Sequence, residues 1–193
     1  MNERSGRNRI DRVTTRGGDA GETSLADGRR YPKYHPRIEL VGALDEATSF
    51  LGLLAEETDS STAAGLRVLQ SGLFDLGALV ATGRSAADWS QLAKSVEDGT
   101  TALNERLEPL REFVLPGGGR KAATAHVART VVRRAERAWW RAATDASELA
   151  DTDGGIFLNR MADYLFVLAR TLAETEVLWT PLGGSDKPES TPC

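Results

Sequence analysis

The chain has 193 residues, 40% hydrophobic and 27% charged, with a formal net charge of −4, enough for one well-filled core in a single soluble domain. That balance excludes a general nucleic-acid binder, which would be broadly basic, and the lone Cys193 excludes an intrachain disulfide framework or cysteine metal cluster. No uninterrupted apolar run approaches the roughly 18 residues of a membrane span and no signal-peptide pattern opens the chain, so no membrane partner and a reducing cytoplasm are expected.

Residues 1–12 carry Arg4, Arg7, Arg9 and Arg12 without an amphipathic period and read as a flexible arm. Thr14 to Arg30, TTRGGDAGETSLADGRR, is a loop of glycines, hydroxyls and arginines, a type that brings backbone N–H groups close to phosphate. It is neither a Walker A loop nor a dinucleotide fingerprint, and an ordinary surface loop is its plain alternative.

From Pro36 the apolar spacing becomes helical. Leu40, Leu44, Ala47, Leu51 and Leu54 predict a first helix of about five turns, with Asp45 and Glu46 one step off its stripe. Leu66, Leu69, Leu73, Leu76 and Val80 predict a second, from about Thr62 to near Gly83, with a seam suited to antiparallel packing. After a loop from Arg84 to Ser90, Leu92, Val96, Leu103, Leu107 and Leu110 mark a third, stopped by Pro109 or soon after.

Phe113-Val114-Leu115 is a short strand-like run broken by Pro116 and Gly117 to Gly119. A fourth helix is predicted from about Lys121 to Ser147, a turn over Asp151–Gly155, and a fifth helix with Leu158, Met161, Leu165, Leu168 and Leu172 as its seam. No segment alternates convincingly with period two, so the expected fold is all-α, a five-helix up-and-down bundle spanning 13–178. Residues 179–193, rich in Gly, Pro and Ser, are expected to form a flexible tail.

The fourth helix has two faces. Val127, Val131, Ala135 and Ala138 form an apolar one, while His126, Arg129, Arg133, Glu136 and Arg137 gather on another. Guanidinium groups suit phosphate because their planar donors meet two oxygens at once. A solvated face with internal Glu–Arg pairs is the alternative.

Five stretches together, Thr14–Leu25, Lys33–Glu46, Phe113–Gly118, His126–Arg137 and Phe157–Arg170, resemble in type and order the ATP:corrinoid adenosyltransferases of the propanediol-utilisation type. The resemblance implies a homotrimer with active sites at subunit interfaces, binding ATP, Mg²⁺ and cobalamin. In that family cob(I)alamin attacks the 5′ carbon of ATP and expels tripolyphosphate. A reductase and an adenosylcobalamin-dependent mutase are the implied partners. Because cobalt is the nucleophile, the protein need supply no Ser, Cys or His attacker.

Matched position by position, the resemblance implies nucleotide binding by Thr15, Arg16, Gly18, Asp19, Gly21, Thr23, Lys33, Arg133, Glu136, Arg137 and Asn159. It implies that Phe113 displaces the lower axial ligand of cobalt, with Phe166 helping to form the corrin wall. Asp45 and Arg129 match a pair that bridges subunits near the corrin, so Arg133, Phe113, Asp45 and Arg129 are the expected catalytic set. For Glu136 and Arg137 an ion pair is the competing reading, for Asn159 a helix-start hydrogen bond, and for Phe113 and Phe166 a core position. His126 reads as packed or at an interface, not as a metal ligand, since His35 lies in a loop.

One departure bears on function. Where the family usually has Gly-Asp-Lys-Gly, this chain has Gly18-Asp19-Ala20-Gly21, leaving Arg16 as the cation available to compensate. A non-catalytic carrier of adenosylcobalamin or ATP, and a plain helical scaffold, are the alternative functions.

Overall fold

The computed structural model describes residues 14 and 16–182. A short antiparallel hairpin, β1 (Glu22–Ser24) and β2 (Arg30–Pro32), precedes the helices α1 (Pro36–Glu57), α2 (Ser60–Thr82), α3 (Trp89–Asn104), α4 (Arg120–Ala143), α5 (Ser147–Ala150) and α6 (Gly154–Leu172). The five long helices are the expected bundle. α2 packs on α1, α1 on α4, α4 on α6 and α6 on α3.

Local chemistry sets the helix limits. His35 is extended and its Nδ1 accepts the Arg37 N–H at 3.2 Å, so this loop histidine caps α1, with Pro36 at the first helical position. Asp59 accepts from the Ser61 and Thr62 N–H groups at the start of α2. Gly83, at φ 70°, closes that helix through its N–H to the Leu79 carbonyl at 2.7 Å. The leucine seams read from the sequence are buried, including Leu40, Leu51, Leu66, Leu76, Leu158 and Leu165. α2 has the length and composition of a membrane span, yet its leucine seam is packed into the bundle core.

Four boundaries differ from the sequence expectation. The hairpin was not expected, because three-residue strands are too short to display a period of two. α3 ends at Asn104 although Leu107 and Leu110 continue its period; Pro109 supplies no N–H and disfavours helix at Glu108, whose carbonyl accepts from Arg170 Nη2 at 2.9 Å. α4 stops at Ala143, and Ser147–Ala150 form the separate short α5. Gly154 and Gly155 do not belong to a turn but open α6, because the helix is pressed on α4. A Cβ at Gly154 would lie 2.5 Å from Trp139 Cη2, and one at Gly155 would lie 2.6 Å from Trp140 Cζ2.

The bundle therefore has two distinct ends. At one, the Asp27 N–H donates to the Ala81 carbonyl at 3.0 Å, and Arg37 bridges the Val80 carbonyl and Glu148. These contacts gather the hairpin, the start of α1, the end of α2 and α5. At the other end Glu57 of α1 accepts from Arg120 and Thr124 of α4, close to the connection that carries Phe113 and to the segment after α6.

Candidate functional site

The hairpin end holds the glycine loop. Arg16, at φ 58°, is the one non-glycine residue among those described in the left-handed region, and Gly21 follows at φ 82°. The Asp19 N–H reaches the Arg16 carbonyl at 3.4 Å and the Lys33 N–H reaches the Gly21 carbonyl at 2.9 Å, folding the loop back on β2. A Cβ on Gly18 would stand 3.3 Å from Lys33 Nζ, so the glycine admits the lysine over the loop. Thr23 lies opposite Tyr31 in the hairpin. Tyr31 donates to Asp27 at 2.6 Å, which pushes the tyrosine pKa up and, with the Arg29 N–H, the aspartate's down. Arg16, Gly18, Asp19, Gly21, Thr23 and Lys33 thus share one compact loop and hairpin, while Thr15 lies outside the described residues.

On α4 the arginines stand one turn apart. Among the described residues Arg129, Arg133 and Arg137 form no salt bridge, and the Arg137 Nη1 donor goes to the Arg133 carbonyl at 3.3 Å. Glu136 is paired with neither, but accepts from Asn159 Nδ2 of α6 at 3.2 Å, and Asn159 Oδ1 accepts from Arg160 at 2.9 Å. The ion-pair reading of Glu136 and Arg137 and the helix-start reading of Asn159 are therefore not what this chain adopts. The neighbouring Arg134 does pair, with Glu46 of α1. Like charges at this spacing repel; Arg133 and Arg137 are exposed, while Arg129 is half-buried against Phe166 of α6.

Toward the start of α4, His126 is buried at 4% exposure and its ring centre is 6.2 Å from that of Phe166. The Arg129 guanidinium lies 5.8 Å over the Phe166 ring. Neither His126 Nδ1 nor Arg129 Nε has a hydrogen-bond partner, although both are buried. Burial pushes both pKa values down, and the nearby Arg129 adds to the fall for His126, Arg133 to that for Arg129. Phe166 is thus half-buried beside a buried imidazole and a guanidinium, and not in the leucine core.

Phe113 is 76% exposed, which removes its competing reading as a core residue. A hollow of about 200 Å³, lined by Pro116, Ala123, His126, Val127 and Thr130, lies beside the same connection. By the rise of a helix, the start of α4 and Arg133 are separated by about 20 Å along the axis, so Arg133 stands well away from the connection that carries Phe113.

Asp45 is exposed on α1 and in no salt bridge among the described residues. It lines a groove with Thr48, Phe74 and Gly77 between α1 and α2, about 440 Å³ in volume. Its expected pairing with Arg129 is not made within this chain. Sequence reasoning missed Trp179, Glu176 and the role of Arg170: a buried arginine at 7% exposure that grips Glu176 at 2.7 Å. The apolar run Val177-Leu178-Trp179 was the available signal for this segment.

Solved structures share this fold. A variant of the PduO-type ATP:corrinoid adenosyltransferase from Lactobacillus reuteri, complexed with cobalamin and ATP, superposes with a TM-score of 0.80 at 28% identity, covering 88% of this chain and 100% of that one. A second variant of that enzyme, complexed with ATP, gives 0.78 at 28% identity over 87% and 100%. Among curated proteins, a cobalamin adenosyltransferase of Cupriavidus metallidurans is 43% identical over 179 residues, covering 89% of this chain and 96% of its own. The Mycobacterium tuberculosis corrinoid adenosyltransferase is 38% identical over 184 residues, covering 90% and 95%. With the cobalamin adenosyltransferase family model matching residues 13–172 as well, the chain belongs to the cobalamin adenosyltransferase family.

Proposed function

We propose that this chain transfers the 5′-deoxyadenosyl group of ATP to cob(I)alamin, giving adenosylcobalamin and tripolyphosphate. The observation that carries this reading is the row of Arg129, Arg133 and Arg137 with no carboxylate partner among the described residues, together with a glycine loop at the bundle end toward which the row runs. In the reaction the cobalt electron pair forms the bond to C5′ while the C5′–O bond breaks, its electrons passing to the departing polyphosphate.

The chain's own residues do three things. Arg133 and Arg137, with the Arg16–Gly21 backbone and Lys33, neutralise charge building on the phosphate chain and hold C5′ in line. Asn159 fixes the Glu136 carboxylate, leaving that acid to accept from the nucleotide's hydroxyl groups. Phe113 and Phe166 offer cobalt an apolar lower face without a donor, which favours the Co(I) state. A Mg²⁺ carried on the phosphate oxygens is the ion this chemistry calls for, and Asp19 is a loop carboxylate that could hold it. When bound, that ion would supply charge neutralisation to the leaving group.

The reading extends to assembly. The unpartnered Arg129 Nε and the exposed Asp45 support pairing between copies, and with it a homotrimer whose sites lie at subunit interfaces. The cytoplasm, with a cobalamin reductase and an adenosylcobalamin-dependent mutase as partners, is the proposed setting. Anaerobic incubation with cob(I)alamin, ATP and Mg²⁺ tests the activity. The adenosylcobalamin spectrum with stoichiometric tripolyphosphate is expected; a spectral shift without product would make the chain a carrier, as Ala20 alone favours, and silence would make it a scaffold.

A further inference from the structure

Phe113 lies on the connection between α3 and α4, outside the core, and nothing in the bundle interior fixes its ring. Its backbone is held from elsewhere. The Trp179 N–H donates to the Phe113 carbonyl at 2.7 Å, the Leu115 N–H to the Val177 carbonyl at 2.8 Å, and the Glu174 N–H to the Gly118 carbonyl at 2.8 Å. Val114 and Leu178 face each other in an antiparallel bridge. In that register Phe113 stands directly opposite Trp179, and successive side chains alternate between faces.

Phe113 and Trp179 consequently share one face of the ribbon, and their rings meet edge to face, 6.3 Å between centres at 68°. Trp179 is itself 42% exposed, so the pair is presented outward and not stored in the core. The ribbon is anchored on both sides. Arg170 grips Glu176 with Nε and Nη2 and also holds the Glu108 carbonyl. Gly118, at φ 86°, lets the chain pass where a Cβ would stand 2.7 Å from the Thr175 carbonyl oxygen. The region matched by the family model ends at residue 172, so this strap lies beyond it.

We propose that Trp179 is a positioning residue for the adenosyl transfer, fixing through the Glu174–Trp179 strap the pose in which the Phe113 ring meets the lower face of cobalt. The inference rests on the function proposed above. A ring that is mostly solvated samples several rotamers, and a directly opposite aromatic partner in a two-stranded ribbon selects one.

The test uses the full chain with cob(II)alamin and ATP, following the electron paramagnetic resonance signal of four-coordinate Co(II). Trp179→Ala is expected to lower both that signal and kcat by about tenfold, as an aromatic pair of this kind permits, with the KM for ATP and the thermal midpoint unchanged. Trp179→Phe is expected to restore the signal. A Trp179→Ala protein whose cobalt signal matches that of the wild type would overturn the inference.

Amide hydrogen exchange of Leu115 in the nucleotide-free protein reads the strap independently of chemistry. Acceleration in Trp179→Ala is expected even from a wild type that shows no cobalt signal, which would count against the proposed function and not against the strap. Unchanged exchange would overturn the strap as the element that holds Phe113.

Discussion

Replacing Arg133 by Gln separates a binding strip from a structural ion-pair network by the sign of its effect on stability. Arg133 has Arg129 one turn before it and Arg137 one turn after, and no carboxylate partner among the described residues. Glutamine keeps nearly the same helix propensity. The substitution therefore removes two like-charge pairs at about 0.2–0.5 kcal/mol each, a gain of about 0.4–1 kcal/mol, or about 1–4 °C in Tm for a chain of this size. It also removes a charge-assisted contact to phosphate worth about 1.5–3 kcal/mol, so kcat/KM for ATP should fall about 10- to 150-fold. Thermal unfolding at low salt without nucleotide, paired with steady-state kinetics, gives both numbers. A variant that loses stability along with activity would refute the reasoning, because Arg133 would then be answering a carboxylate of a neighbouring subunit and not waiting for a ligand.

Ala20→Lys restores a cation to the loop and should lower the KM for ATP without altering thermal stability; a KM indifferent to the change would show that Arg16 and Lys33 already suffice. Gly154→Ala should destabilise by about 1–3 kcal/mol through overpacking on Trp139, read by denaturant unfolding; a neutral result would mean α4 and α6 can separate at that crossing. Burial holds the His126 pKa below its ordinary 6.5, so the unfolded chain binds that proton first as pH falls. Stability on this account is full above pH 6.5 and declines as pH drops toward the folded value, and His126→Gln should flatten that part of a Tm-against-pH curve. Asp45→Asn and Arg129→Gln should each weaken subunit association and activity together, and a double-mutant cycle by sedimentation should show coupling; independent effects would break the proposed intersubunit pair.

What the sequence disclosed and what it hid follow from the range of the forces involved. Leucine seams such as Leu66 to Val80 are local and periodic, so α1, α2, α4 and α6 were legible to within a few residues. Leu107 and Leu110 kept the same period, yet α3 ends earlier because Pro109 and a distant arginine, Arg170, act on Glu108. Gly154 and Gly155 looked like a turn, since glycine in a helix start is favoured only by what presses on it, here Trp139 and Trp140. The arginine face of α4 was visible as spacing, but not that Glu136 turns to Asn159 while Arg134 takes Glu46. Asp45 and Arg129 could be matched only by resemblance, for the pair is not made within this chain.

The ribbon joins two stretches that synthesis separates widely. Phe113 is made before α4 and α6 exist, whereas Val177 to Trp179 come after both. A growing polypeptide can thus bury its leucines and fold the cationic helix while the aromatic remains untethered. Competence toward the cobalt face would be acquired last, and a truncation just after Val177, which keeps the buried Arg170–Glu176 pair and removes Trp179, would slow the chemistry in a molecule that still melts like the intact one.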